Sequence, residues 1–233
     1  MLYCNDLAIA IWEAWARKEK NNMYHYDYVT RRQAEPYREE FQNILFELQD
    51  LVRDNFTFQF QFIGSSARNM ITFDSTTNIG FDFDVNIEVN DPNKEYSPGE
   101  IRNIIINALN SIIIPHGFNF VENGTRVLTI KKVDLYRSKI QYSCDIAIVN
   151  NYVDRKGENH QEYIRYIKTQ NTYIWSEQTS PYDLEEKIKV IKKHNLWNDV
   201  FELYLDKKNY NTDKNKKSRN LYAETINEIY DRI

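Results

Sequence analysis

Phe62-Ile63-Gly64-Ser65-Ser66-Ala67-Arg68 and Gly80-Phe81-Asp82-Phe83-Asp84-Val85-Asn86-Ile87-Glu88-Val89 are the two stretches on which the reading of this chain turns. In the second, Phe81, Phe83, Val85, Ile87 and Val89 alternate with Asp82, Asp84, Asn86 and Glu88, which is the two-residue period of a strand with one buried face. Asp82 and Asp84 therefore point the same way. Side chains at i and i+2 of a strand sit roughly 7 Å apart, within reach of a single ion for two bending carboxylate arms. Brought to about 4 Å at an effective dielectric near 20, the two charges would repel by on the order of 4 kcal/mol, so the pair calls for a cation. Mg²⁺ suits it, because that ion takes oxygen ligands and is commonly held by one or two carboxylates plus substrate phosphates.

Upstream, Phe58, Phe60 and Phe62 alternate with Gln59, Gln61 and Ile63, so a strand runs into Gly64-Ser65-Ser66. Glycine permits close backbone approach, and amides and hydroxyls at a helix start are suited to holding phosphate. The bland alternatives stand beside these readings. Gly64 also fits an ordinary strand-to-helix turn, Arg68 a surface arginine in a first helical turn, and Asn86 and Glu88 a solvated strand end.

A Gly-Ser turn after a strand, Asp-x-Asp on the next strand and a lone acid on a later one form a recognisable set. The later acid is Asp145, within Lys139-Ile140-Gln141-Tyr142-Ser143-Cys144-Asp145-Ile146-Ala147-Ile148-Val149. Over roughly residues 56 to 150 the pattern resembles the nucleotidyltransferase superfamily typified by DNA polymerase β. One departure is the sixteen residues between Ser65 and Asp82, a longer gap than that family usually has. Residues 70 to 79 are accordingly read as a loop extension.

The resemblance implies an α+β fold: a palm with a mixed β-sheet flanked by helices, here with a C-terminal helical subdomain added. It implies that Asp82 and Asp84 bridge two Mg²⁺ ions, with Mn²⁺ as the alternative metal. Asp145 would ligate only the catalytic ion and help deprotonate the attacking hydroxyl. Gly64 and Ser65 would hold the β- and γ-phosphates of a nucleoside triphosphate, ATP or another NTP, with Arg68 in support. The reaction implied moves a nucleoside monophosphate to a hydroxyl of a nucleotide or RNA and releases pyrophosphate. Two helices expected before Gly64 make the chain more similar to the cyclic-oligonucleotide and 2′-5′ oligoadenylate synthases than to short antibiotic-modifying enzymes. The competing readings are a catalytically silent nucleotide-binding protein on the same fold and a toxin-like enzyme that modifies RNA or protein.

Bulk properties narrow the field further. At 233 residues, with 42% hydrophobic and 27% charged residues, the chain is an ordinary globular protein of one large or two small domains. A net charge of −4 argues against a protein coated for duplex nucleic acid. No apolar run reaches the length of a membrane span, and Met1 to Asp6 lacks a basic region leading into an apolar one. Cys4 and Cys144 match no metal spacing and are read as reduced thiols, so a cytoplasmic location is expected. His25, His116, His160 and His194 show no paired spacing, and neither a P-loop nor a dinucleotide-binding glycine motif is present.

Along the chain, a helix is expected over 5–20, a loop over 21–34 and a helix from Pro36 to Val52 with Phe41, Ile44, Leu45 and Leu48 on its apolar stripe. Strands are expected at 56–63 and 81–89, then a helix opened by the capping box Ser97-Pro98-Gly99-Glu100 and closed near Pro115. Strands at 118–121, 126–133 and 139–149 follow, with turns at 122–125 and 134–138, and 163–175 adds more. Ser143 shares a face with Asp145 and receives no role. Ser180-Pro181 reads as a helix start that divides a palm with its N-terminal helices, 1–179, from a helical subdomain, 180–233. Within the latter, the segment from Lys207 to Arg219 either guides a triphosphate or nucleic acid or is a solvated loop.

Overall fold

The computed structural model describes residues 24–74, 76–77, 80–178, 184–213 and 215–233. The helix expected over 5–20, Cys4 and the Ser180-Pro181 cap lie outside the described residues. The described chain runs β1 (Tyr26–Tyr28), α1 (Arg31–Val52), β2 (Thr57–Ile63), the short turn α2 (Gly64–Ala67), β3 (Thr72–Asp74), β4 (Phe81–Asn90), α3 (Pro98–Ile112) and β5 (Glu122–Asn123). It continues through β6 (Val127–Asp134), β7 (Lys139–Val153), β8 (Asn159–Ile167), β9 (Thr172–Glu177), α4 (Leu184–Lys193), α5 (Trp197–Tyr210) and α6 (Ser218–Tyr230). This is a mixed sheet flanked by helices, the α+β architecture expected. Two compact units are present; the larger comprises Tyr28–Phe73 and Thr77–Ser180, and the smaller contains α4, α5 and α6.

In the larger unit the sheet has the order β2-β4-β7-β6-β5, and β8 pairs with both β7 and β9. β4 is antiparallel to β2 and parallel to β7, so the acidic strand is central, with a paired neighbour on each side. Its alternation sends Phe83, Val85, Ile87 and Val89 into the core, each 7% exposed or less. Helices α1 and α3 bury their apolar stripes in the same core: Phe41, Ile44, Leu45 and Leu48 from one, Ile101, Ile105 and Leu109 from the other. Phe83 is met edge-on by Phe41 at 5.4 Å and by Phe62 at 5.9 Å, geometries that add to simple area burial. The core thus backs the strand on one face and leaves the other to its carboxylates.

Several boundaries differ from the expectation, each for a local reason. Helix α1 starts five residues before Pro36, because Thr30 and Gln33 form a reciprocal capping box. The described part of the segment expected as a loop therefore contains the first residues of α1, and Tyr26–Tyr28 is a strand. The segment 118–121 is not a strand; pairing begins at Glu122 and Asn123, inside the expected turn, where they meet Thr129 and Leu128. Within the segment expected as a loop extension, Thr72–Asp74 is a strand, Met70, Ile71 and Thr72 are buried, and Val29 donates its amide to the Ile71 carbonyl at 2.8 Å. The Ser97/Glu100 capping box with Pro98 at the first turn is present as read.

Candidate active site

Parallel pairing of β4 with β7 sets Asp82 beside Ser143 and Asp84 beside Asp145 in register. Neighbouring strands lie about 4.8 Å apart, so all three acids share one face of the sheet and adjoin. Asp82 is exposed, while Asp84 and Asp145 are half-buried. Burial, with Asp145 and Asp82 alongside, pushes the Asp84 carboxyl up to about 6, and Arg68 opposes the shift. Burial likewise raises Asp145, opposed by a hydrogen bond from Thr129 and by the charge of Lys131, with Asp82 adding to the rise. A face that resists ionisation of its own carboxylates is one that a cation would stabilise.

Each flanking acid has a hydroxyl partner. Thr129, directly opposite Asp145 on β6, donates to Asp145 Oδ1 at 2.5 Å. Ser143 donates its hydroxyl to Asp82 Oδ1. Asp84 instead lies against Gly64, which sits at φ +64° where β2 turns into α2; a Cβ there would collide with Asp84 Oδ2. A side chain is excluded twice, by the left-handed backbone and by the carboxylate. Ser65 follows immediately, half-buried, and its carbonyl accepts from the amides of Arg68 at 3.2 Å and Met70 at 2.8 Å. Arg68 closes the turn as its C-cap, near enough to act on the Asp84 charge.

The structure thus brings Gly64 and Asp84 into contact, sets Asp82, Asp84 and Asp145 on one face, and puts Ser65 and Arg68 in the adjoining turn. Sequence reasoning missed Thr129, Ser143 and the Lys131–Glu122 ion pair of 2.7 Å that continues the row past Asp145. Ser143 was visible on the correct face. Thr129 and Lys131 were not, because only the β6–β7 register sets them opposite Asp145 and Ser143.

Other groups bear on function less directly. A cavity of about 510 Å³ lined by Arg38, Gln42, Phe62, Ser66 and Phe83 among others includes none of the three acids. Among the described residues, the trio of potential metal ligands within 4.8 Å of one another is Asp154, Glu158 and His160 on the β7–β8 hairpin, and no oxygen triplet from Asp82, Asp84 and Asp145 is that compact. In the hairpin, Asp154 Oδ1 accepts the amides of Lys156 and Glu158 at 2.8 Å each, as in an ordinary tight turn. Cys144 is a free buried thiol whose pKa burial raises. In the smaller unit, Lys207 pairs with Glu228 at 2.8 Å and Lys216 with Glu224 at 2.7 Å, so part of the basic segment is neutralised locally. No described helix is long and apolar enough to cross a membrane.

No protein-family model matches the chain, and no curated protein matches it in sequence. Solved structures do match in fold. The STING-associated CdnE c-di-GMP synthase from Capnocytophaga granulosa aligns with TM-score 0.56 at 17% identity, over 86% of this chain and 61% of that one. The Vibrio cholerae di-nucleotide cyclase DncV in complex with GTP and 5MTHFGLU2 aligns with TM-score 0.54 at 16% identity, over 83% and 54%. The same cyclase with the linear intermediate 5′ pppA(3′,5′)pG gives 0.54 at 18% identity, over 83% and 51%. The chain spans between half and about three-fifths of the length of these proteins. Its fold is similar to that of these two synthases.

Proposed function

We propose that this chain is a metal-dependent nucleotidyltransferase that moves a nucleoside monophosphate from an NTP to a hydroxyl acceptor. The observation that carries the reading is the register of β4 and β7, which sets Asp84 beside Asp145 while Gly64 presses on Asp84 from the other side. A phosphate-holding turn and a cation-demanding carboxylate cluster adjoin. The fold shared with cyclic dinucleotide synthases supports the same reading.

Asp84 and Asp145 stand side by side in register, with both carboxyls raised by burial, and hard oxygen donors that repel one another are the donor set Mg²⁺ or Mn²⁺ takes. Asp82, Asp84 and Asp145 would hold it, as two ions. When bound, the metal stabilises the charge on the entering and leaving oxygens of an in-line displacement. The backbone amides and hydroxyl of Gly64 and Ser65 orient the β- and γ-phosphates, with the Arg68 guanidinium in support. The acceptor oxygen forms a bond to the α-phosphorus, the bond to the pyrophosphate oxygen breaks, and Asp145 receives the hydroxyl proton. Nucleotides and RNA ends are the acceptor classes proposed, and a cytoplasmic location would supply the NTP.

Each α-labelled NTP is incubated with the protein in Mg²⁺ or Mn²⁺, with and without RNA, and pyrophosphate and labelled product are measured. Turnover that Asp84→Ala abolishes supports the reading. A folded protein that binds NTP yet never releases pyrophosphate with either metal overturns it and favours a silent nucleotide-binding protein.

A further inference from the structure

Thr129 commits Oδ1 of Asp145 and Ser143 commits Oδ1 of Asp82, while Oδ2 of Asp84 is turned against Gly64. One oxygen of Asp145 and one of Asp82 are thereby engaged by a hydroxyl donor. Both hydroxyl donors come from register neighbours: Thr129 stands opposite Asp145 across the antiparallel β6–β7 pair, and Ser143 opposite Asp82 across the parallel β4–β7 pair.

We infer that Thr129 and Ser143 are positioning residues that fix the carboxylate planes of Asp145 and Asp82, so that each acid offers its second oxygen to a divalent cation. This rests on the metal-dependent reading of the site. The terminal torsion of an aspartate is broad and nearly two-fold, so an unanchored carboxylate can swing either oxygen inward or out to solvent. A hydroxyl donor on one oxygen removes that freedom, and a bond to a charged acceptor is stronger than a neutral one. Groups that orient metal ligands in this way characteristically govern affinity without touching the ion. Ser143 is 4% exposed, so its hydroxyl is held in place by the surrounding sheet and not by solvent. Lys131 is a poorer candidate for the same role, because its ammonium is bonded to Glu122.

The test is a Mn²⁺ titration followed by electron paramagnetic resonance of the free ion, without nucleotide, on wild type, Thr129→Val, Thr129→Ser and Ser143→Ala. Thr129→Val keeps the shape of threonine and removes the donor; it is expected to weaken Mn²⁺ binding about 10- to 100-fold, the range for lost ligand-orienting partners. Thr129→Ser restores the donor and should return binding to wild type within about threefold on the same scale. Ser143→Ala tests the claim on the other acid should Thr129→Val fail to fold, with melting temperature as the check. Variants that bind Mn²⁺ as wild type does overturn the inference while leaving the metal reading intact. A wild type that binds no Mn²⁺ overturns both, and turnover assays then show whether the nucleotidyl-transfer reading survives.

Discussion

Asp84 and Asp145 face each other across a parallel strand pair, one residue from β4 and one from β7, separated in the chain by sixty-one positions. Their charges oppose, and Gly64 limits how far Asp84 can retreat. A proton or a cation between the two relieves the conflict, so pH and divalent metal should both act on this one place in the sheet.

Stability should fall as pH rises through the range in which Asp84 ionises. In the folded chain this carboxyl is pushed up to about 6 from 3.8, by burial first and by Asp145 and Asp82 second. Between those values the folded state retains a proton that the unfolded chain has lost. The resulting stabilisation is complete below the unfolded value, declines toward pH 6 and is absent above it, an effect of up to about 3 kcal/mol. Asp84→Asn removes the charge, so its advantage over wild type in urea unfolding should be near zero at pH 4 and grow toward pH 7. An advantage independent of pH contradicts the account.

Divalent metal and protons should compete for the same oxygens. Mg²⁺ or Mn²⁺ is expected to raise the melting temperature at pH 7.5 and to have little effect at pH 5. At a concentration one hundred times the dissociation constant the gain is about 2.7 kcal/mol. Asp84→Asn and Asp145→Asn should lose it. Equal stabilisation by metal at both pH values places the ion away from Asp84 and Asp145.

Gly64→Ala tests the contact between turn and acid. The substitution forces a side chain onto a φ of +64° and drives its Cβ into Asp84 Oδ2. The backbone alone costs roughly 1–3 kcal/mol, and displacement of Asp84 should reduce pyrophosphate release by an order of magnitude or more. Wild-type turnover in this variant shows that the turn and the acid do not act together.

Arg102 should be the most costly single position away from the acids. It is 0% exposed on α3 and donates to Asn123 Oδ1 at 2.8 Å, the Gly124 carbonyl at 2.6 Å and the Val127 carbonyl at 2.9 Å. Its guanidinium also lies over the Tyr173 ring at 5.2 Å. Arg102→Met removes three hydrogen bonds made by a fully buried guanidinium and loosens the turn that leads into β6, the strand carrying Thr129. A loss of on the order of 3 kcal/mol or more in urea unfolding is expected. A change below about 1 kcal/mol, the size of one ordinary hydrogen bond, rules out the clamp.

Local pattern was enough for the strand alternation of β4, the buried stripe of α1, the capped start of α3 and the helical character of the chain after residue 184, because each depends on periodicity or on contacts a few residues apart. It also supplied Asp82 and Asp84 as a same-face pair and Gly64 as a turn. Helix α1 was legible in its core face but not at its start, which the capping box at Thr30 sets five residues before Pro36. Strand pairing put Asp145 beside Asp84 in register, gave Thr129 and Ser143 an acid each to hold, and set a fully buried Arg102 as a clamp on the turn into β6. Those relationships join residues sixteen or more positions apart, or depend on strand register, which a shift of one residue would reverse and which no local pattern encodes.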